Sequence, residues 1–549
     1  MERPELEFRR EFLRMAGLGI AGSAAMLVPT QAGGQSAMPA GLRKDGVAPR
    51  GRSIYYDVRA YGAKGDGVTL DTEAVNATID AAANAGGGTV LFTPGVYACY
   101  SIHLKSNVAL YLQQGATILA APTPMEGFVT GGYDAAEPQG EWEPYQDYGH
   151  NHWHNSLIWG ENLHDFGIFG PGLIYGRGLS RGYDDKALPD TTKPGVGNKS
   201  IALKNCRNVI LSDFSILQGG WFGILATGVD NLTIDNLKID TNRDGMDIDC
   251  CRNVRVSNCT VNSPWDDAIC PKSSYALGEA RMTENVTIAN CFVTGGYAIG
   301  SVLDGTWKPV NLYGHNSGTG RIKLGTESNG GFRNIAITNC VFEACQGFAL
   351  ESEDGAVVED ITFTGITMRN INTAPIFLRL GSRLRGPKPQ TTMGSLKRVI
   401  ISNVTSSGGS PLPSILAGVE GHPVEDIKIS DVYLHQVGGA DAAIAAINPP
   451  ENAEKYPDPQ MFGELPATGF YARHAKNLEF TNVEIATERE DARPAFHLED
   501  VDGVDFFRMK FPARKMAGQF QLKNVADFRV FGCKHYADAS SEHVDDEVL

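Results

Sequence analysis

Three features of this sequence predict an all-β chain wound as a single right-handed parallel β-helix with an N-terminal helical cap. A short unit recurs, each copy alternates apolar and polar residues around a small polar break, and the copies keep a nearly fixed spacing. They include "NVILSDFSI" from Asn208, "NLTIDNLKI" from Asn231, "NVRVSNCTV" from Asn253, "NVTIANCFV" from Asn285 and "NIAITNCVF" from Asn334. Later copies start at Asp360, Arg398, Asp426 and Asn477. The steps 231 − 208 = 23 and 253 − 231 = 22 set the period, and longer steps add loops.

Each unit reads as strand, turn, strand, with β-branched residues on one face. A helical hairpin cannot carry this alternation, and the leucine framework of a leucine-rich repeat is missing. Coils stacked around a shared apolar interior are what is left, so one long solenoid replaces the three or four domains that about 150 residues per domain would suggest. The 63 glycines and 20% charged residues agree with many turns.

Taken from the N-terminus, residues 1–32 read as an export address. "FRREFLRMAGLGIAGSAAMLVP" places Arg9 and Arg10 before a short Ala/Gly-rich apolar run and resembles a bacterial twin-arginine signal, with a periplasmic or secreted product. Residues 33–53 read as a linker, and 54–538 as the β-helix. Thr72 to Asn84 forms an amphipathic helix, suited to cover the first open coil. Coils are expected from "NVALYLQQGATI" onward, and residues 539–549 as an acidic disordered tail.

The balance of 48 basic against 64 acidic residues, net −16, argues against nucleic acid or an anionic membrane as partner once the signal is removed. The chain is expected to act as a monomer. Of the ten cysteines, Cys259, Cys291 and Cys340 share one place in the repeat, which favours a buried stack of thiols over a disulfide framework.

The period also brings acids together. Neighbouring coils lie about 4.8 Å apart, so residues one period apart are vertical neighbours, and Asp244 is expected beside Asp266 and Asp267. Crowded carboxylates raise one another's pKa, so one stays protonated while another is ionised. Glycoside hydrolysis needs that division of labour. Both Asp266 and Asp267 reach one site only if the chain bends, for which Pro264 is placed. Asp247 and Asp249 are read as structural members.

The stretches "DVRAYGAKGDG" and "GGGTVLFTPGVY" resemble the start of the pectin-degrading β-helix superfamily, and "NRDGMDI" with "DDAICPKS" resembles glycoside hydrolase family 28, the polygalacturonases. The resemblance implies Asp266 as general acid, Asp244 and Asp267 holding the attacking water, an inverting course, and Arg321 and Lys323 of "GRIKLG" at the sugar. Two departures stand out. Arg243 replaces the family's Thr, a tolerable change, and Tyr297 of "GGYAIGSV" stands where the family has His, with His315 the nearest histidine, either a substrate contact reaching the site from its loop or a surface residue. A rival registration puts "CQGFALESEDG" in the coil that normally carries Arg-Ile-Lys, so that Arg321 and Lys323 sit one coil earlier and Glu351 or Glu353 faces the cleft.

Lys272, Arg321, Lys323 and Arg379, with Arg383, suit an anionic sugar, internal ion pairs being the alternative. Trp221, Trp265 and Trp307 are either sugar platforms or packing. Long segments around "EWEPYQDYGHNHWHN" and after Asn285 would wall the groove and favour chain-end cleavage. His150, His152 and His154 alternate without an identifiable acid partner, and no metal or other cofactor is expected. The expected substrate is a pectin-type acidic polysaccharide or oligosaccharide. A polysaccharide lyase and a non-catalytic glycan-binding β-helix are the competing readings.

Overall fold

The structure, a computed structural model, describes residues 54–122, 132–147, 149–180, 194–310, 318–512, 518–534 and 536–549. The proposed signal, nearly all of the linker, and His315 lie outside them. Ser53 to Leu549 is one compact unit.

Its strands stack in parallel, coil upon coil. Residues of each repeat pair with their counterparts one period on: Val209 with Leu232, Leu232 with Val254, Val254 with Val286, and Val286 with Ile335. These apolar positions point inward and are buried, while the residues between them face solvent. The core is therefore a column of like side chains. Phe470, Phe496 and Phe520 show it, with ring centroids 5.3 and 5.5 Å apart in successive coils, close to the spacing of hydrogen-bonded strands.

The first residue of the repeat has a backbone reason for being Asn or Asp. Asn208, Asn231, Asn253, Asn285 and Asn334 all have φ between 54° and 60°, a left-handed conformation that Asn tolerates better than most residues. Asn231 Nδ2 donates to Asn208 Oδ1 at 2.9 Å, and Asn334 Nδ2 to Asn285 Oδ1 at 2.8 Å. The same residue thus turns each coil and ties it to the last.

The helix spans Thr72–Asn84, as predicted, and buries Val75, Thr78, Ile79 and Ala82. Stacking begins earlier than expected, because Tyr55–Asp57 pairs with Gly88–Phe92, which pairs with Val108–Leu112. The C-terminal tail corrects a second expectation: Ala539–Val548 is a strand, antiparallel to Phe520–Phe531, whose open edge at the end of the stack it covers. All ten cysteines are free thiols and nine are buried.

Candidate active site

One face of the solenoid positions the site. Lys199–Lys204, Phe222–Thr227, Met246–Asp249 and Ile269–Lys272 stack in register, and Ile269 pairs onward with Ile322. Met246 lies on Ile269, so Asp244 and Asp267 hold equivalent places just ahead of their strands. Gly245 N donates to Asp267 O at 2.9 Å, which ties the two turns together. The chain bends over residues 264–266, between Thr260–Asn262 and Ile269–Lys272, and Asp266 and Asp267 thereby reach the same patch. One carboxylate oxygen from each of Asp244, Asp266 and Asp267 lies within 4.8 Å of the others.

Their surroundings differ. Asp244 is buried, and its burial together with the charges of Asp266 and Asp247 pushes its carboxyl well above the ordinary range. Asp267 is equally buried, which alone would push it up, but Lys323, Arg321 and Lys272 outweigh burial and hold it below the usual value. Arg321 Nε donates to Asp267 Oδ1 at 2.9 Å, and Lys323 Nζ lies 3.3 Å from Oδ2. Arg321 Nη1 has no hydrogen-bond partner among the described residues. Two adjoining carboxyls thus differ in proton affinity, Asp244 lying above the ordinary range and Asp267 below it.

Asp266 is the most open of the three, its side chain 25% exposed. Arg243 Nη2 bonds to it at 2.5 Å, and the guanidinium lies 4.0 Å from the Trp221 ring centroid. Arg243 is therefore no bystander, contrary to the reading of it as a tolerable change, because it pairs directly with a site carboxylate. The repeat carried that signal, since 266 − 243 = 23 makes these two residues vertical neighbours as well.

Lys323 also bonds the Tyr456 hydroxyl at 3.1 Å and lies 3.8 Å from Glu351. Tyr456 comes from the long connection between Val424–Gly438 and Phe470–Arg489, and nothing in the repeat pointed to it. Lys323–Leu324 pairs with Phe348–Ser352, so Arg321 and Lys323 lie on the coil directly after Asp266 and Asp267, with Glu351 on the next. This is the rival registration, and Glu351 faces the cations.

Lys272 and Arg379, expected at the sugar, are instead turned into the protein. Lys272 Nζ is 3.2 Å from Glu327 and 3.9 Å from Asp247. Arg379 is 1% exposed and donates to Gly418 O at 2.8 Å. Carboxylates and carbonyls of the fold take up Lys272 Nζ and both terminal nitrogens of Arg379, the alternative that net charge left open. Arg383 is likewise paired with Asp354.

Tyr297 packs against Trp307 with centroids 5.0 Å apart, and its backbone oxygen accepts from Asn262. Its ring thus makes an aromatic contact, and its hydroxyl lies by Glu343. Among the described residues, an imidazole near the aspartates comes from His150, whose Nε2 is 2.9 Å from Asp247 Oδ2. His152 lies 3.5 Å from Glu143 and His154 3.0 Å from Glu161. All three therefore have the acid partners that the sequence did not reveal. Asp249 accepts from Ser274 Oγ and N at 2.6 and 2.8 Å, a structural cap, whereas Asp247 belongs to the charged group under Asp244. Trp221 is buried and Trp265 half-buried beside the acids.

A parallel β-helix that sets carboxylates of unequal proton affinity beside cations has the acid and base groups that a carbohydrate-cleaving hydrolase uses. The profile described as Glycosyl hydrolases family 28 matches residues 139–454, and one described as Rhamnogalacturonase A/epimerase, pectate lyase-like, matches residues 55–123. The chain is 25% identical over 410 residues to a probable polygalacturonase of Vitis vinifera, covering 66% of this chain and 76% of that protein. It is 22% identical to an exo-poly-alpha-D-galacturonosidase of Dickeya chrysanthemi, over 59% of this chain and 56% of the other. The exopolygalacturonase from Thermotoga maritima superposes with a TM-score of 0.56 at 18% identity, covering 79% of this chain and 91% of its own. The chain belongs to glycosyl hydrolase family 28 and is a glycoside hydrolase.

Proposed function

We propose that this enzyme cleaves α-glycosidic bonds of pectin-type chains, galacturonan or rhamnogalacturonan, with Asp266 as general acid and Asp244 with Asp267 holding the attacking water. The observation that carries this reading is the convergence of three carboxylates from adjoining turns, one of them pinned between Arg321 and Lys323. Asp266, the most exposed, is the one placed to meet a leaving-group oxygen. The donor left over on Arg321 suits a uronate carboxylate, which accepts paired N–H bonds. The related proteins named as polygalacturonase and exo-poly-alpha-D-galacturonosidase support the same substrate class. Long connections delivering His150 and Tyr456 to the site favour action at a chain end. The reaction needs no cofactor, and the N-terminal arginine pair would send the chain, already folded, across the inner membrane as a monomer.

The family resemblance supports inversion. Proton NMR of the first-formed product anomer tests it. The decisive assay gives the purified enzyme polygalacturonate and rhamnogalacturonan fragments and follows reducing ends and ultraviolet absorbance. Reducing ends without absorbance, abolished in Asp266→Asn with the melting temperature kept, is the expected result. An absorbing product points to a lyase, and full activity in Asp266→Asn overturns the assignment of the acid.

A further inference from the structure

Beneath Asp244, four ionisable side chains from separate parts of the sequence close into a ring. His150 Nε2 lies 2.9 Å from Asp247 Oδ2, and its Nδ1 lies 3.5 Å from Glu327 Oε1 and 3.2 Å from Asp147 O. Lys272 Nζ joins the same two carboxylates, 3.2 Å from Glu327 Oε2 and 3.9 Å from Asp247 Oδ2. No side chain of the four is more than 6% exposed. Asp247 in turn has a carboxylate oxygen within 4.8 Å of one on Asp244.

We propose that His150 is a positioning residue of the hydrolytic centre, completing a charge-balanced ring with Asp247, Glu327 and Lys272 that sets the electrostatic environment of Asp244. The proposal rests on the reading of Asp244 as part of the hydrolytic machinery. Both imidazole nitrogens face only acceptors, so each must carry a proton, and the ring is a cation. Two cations then balance two anions, and the charge nearest Asp244 is compensated rather than bare. Burial works against the imidazolium, but Glu327 and Asp247 outweigh it together with the repulsion of Lys272, and the His150 pKa is raised. Burial likewise pushes Glu327 up, yet His150 and Lys272 hold it well below the usual carboxylate range.

Asp249, buried and capped by Ser274, also feels the charges of His150 and Glu327. Asp266, Asp247, Lys272 and Arg243 act on Asp244, with Asp267 alongside. Arg383 acts on Glu327 from the other side and is itself paired with Asp354. The Phe222 ring packs 4.8 Å from the imidazole. The segment carrying His150 is fixed independently, because Asp147 N donates to Glu327 Oε1 at 2.9 Å and Asp147 Oδ1 pairs with Arg385 at 2.7 Å. Loss of the imidazole should therefore change charge more than it changes shape.

The test compares the full-length enzyme, His150→Gln, Glu327→Gln and the double variant, by the pH dependence of kcat/KM and by melting temperature. His150→Gln leaves the ring one negative charge in excess, which raises the proton affinity of the acids above it. The acidic limb should move up by about one pH unit, with kcat falling more than KM changes. Adding Glu327→Gln restores neutrality, returns the limb toward wild type, and costs less stability in the His150→Gln background than in wild type. A folded His150→Gln enzyme with an unshifted limb, or a double variant whose limb lies no closer to wild type, overturns the proposal. Wild-type enzyme inactive on every pectic substrate would instead overturn the functional reading itself.

Discussion

Replacing Lys323 with Met removes one of the two cations that hold Asp267 ionised. The distances of 3.3 Å to Asp267 and 3.8 Å to Glu351 correspond to about 5 and about 4.4 kcal/mol of Coulomb attraction at an effective dielectric of about 20. Returning the ammonium to water recovers several kcal/mol of this, so the net loss should be about 3–5 kcal/mol, the usual cost of breaking a buried pair. Its pH dependence follows from Asp267. Because Lys323 and its neighbours overcome burial to depress that carboxyl, its contribution is fully present above the unfolded value of about 3.9 and is lost as pH falls through the lower folded-state value. Lys323→Met should therefore be most destabilised near neutral pH, and its deficit should shrink in acid. The acidic limb of kcat/KM should also move to higher pH. Urea unfolding at several pH values, together with the pH–rate profile, measures both effects. A variant as stable as wild type at pH 7 with an unmoved limb would show that Lys323 does not hold Asp267.

Asp244→Asn should abolish hydrolysis yet raise the melting temperature at neutral pH. Burial and its acidic neighbours raise this carboxyl, so ionising it costs stability above its unfolded pKa, and the gain should vanish at low pH. Scanning calorimetry at two pH values decides it. Asn231→Ala should cost about 1–2 kcal/mol, since the residue sits at φ 55° and donates to Asn208. Chemical denaturation should show that loss, with pectic hydrolysis by the folded variant unchanged.

What the sequence disclosed followed the repeat. Inward positions, the Asn turns and the vertical approach of Asp244 to Asp267 all follow from one period and the strand spacing, and the first helix follows from its own apolar stripe. The same rule reached Arg243 and Asp266, where the substitution hid the ion pair. His150 and Tyr456 were not legible because loops of irregular length deliver them, and Glu327, though on a coil beside Lys272, follows a long insert that breaks the period. Lys272 and Arg379 illustrate a related limit. The repeat put them on the correct face, but only the overlying segments determine whether a cation there meets substrate or a carboxylate of the protein. The reversed final strand was missed for its composition, since its acids and serines suggest solvent rather than pairing.

That strand bears on the open end of the coil stack. A stack of parallel coils ends in a row of unsatisfied amides and carbonyls that a second copy could extend, the route by which sheet proteins polymerise into fibres. Here the growing edge is met by a segment running the opposite way, whose exposed Glu542, Asp545, Asp546 and Glu547 present like charge to any arriving neighbour. A chain shortened before Ala539 would keep its catalytic apparatus and leave the backbone groups along one edge of Phe520–Phe531 without their partner strand.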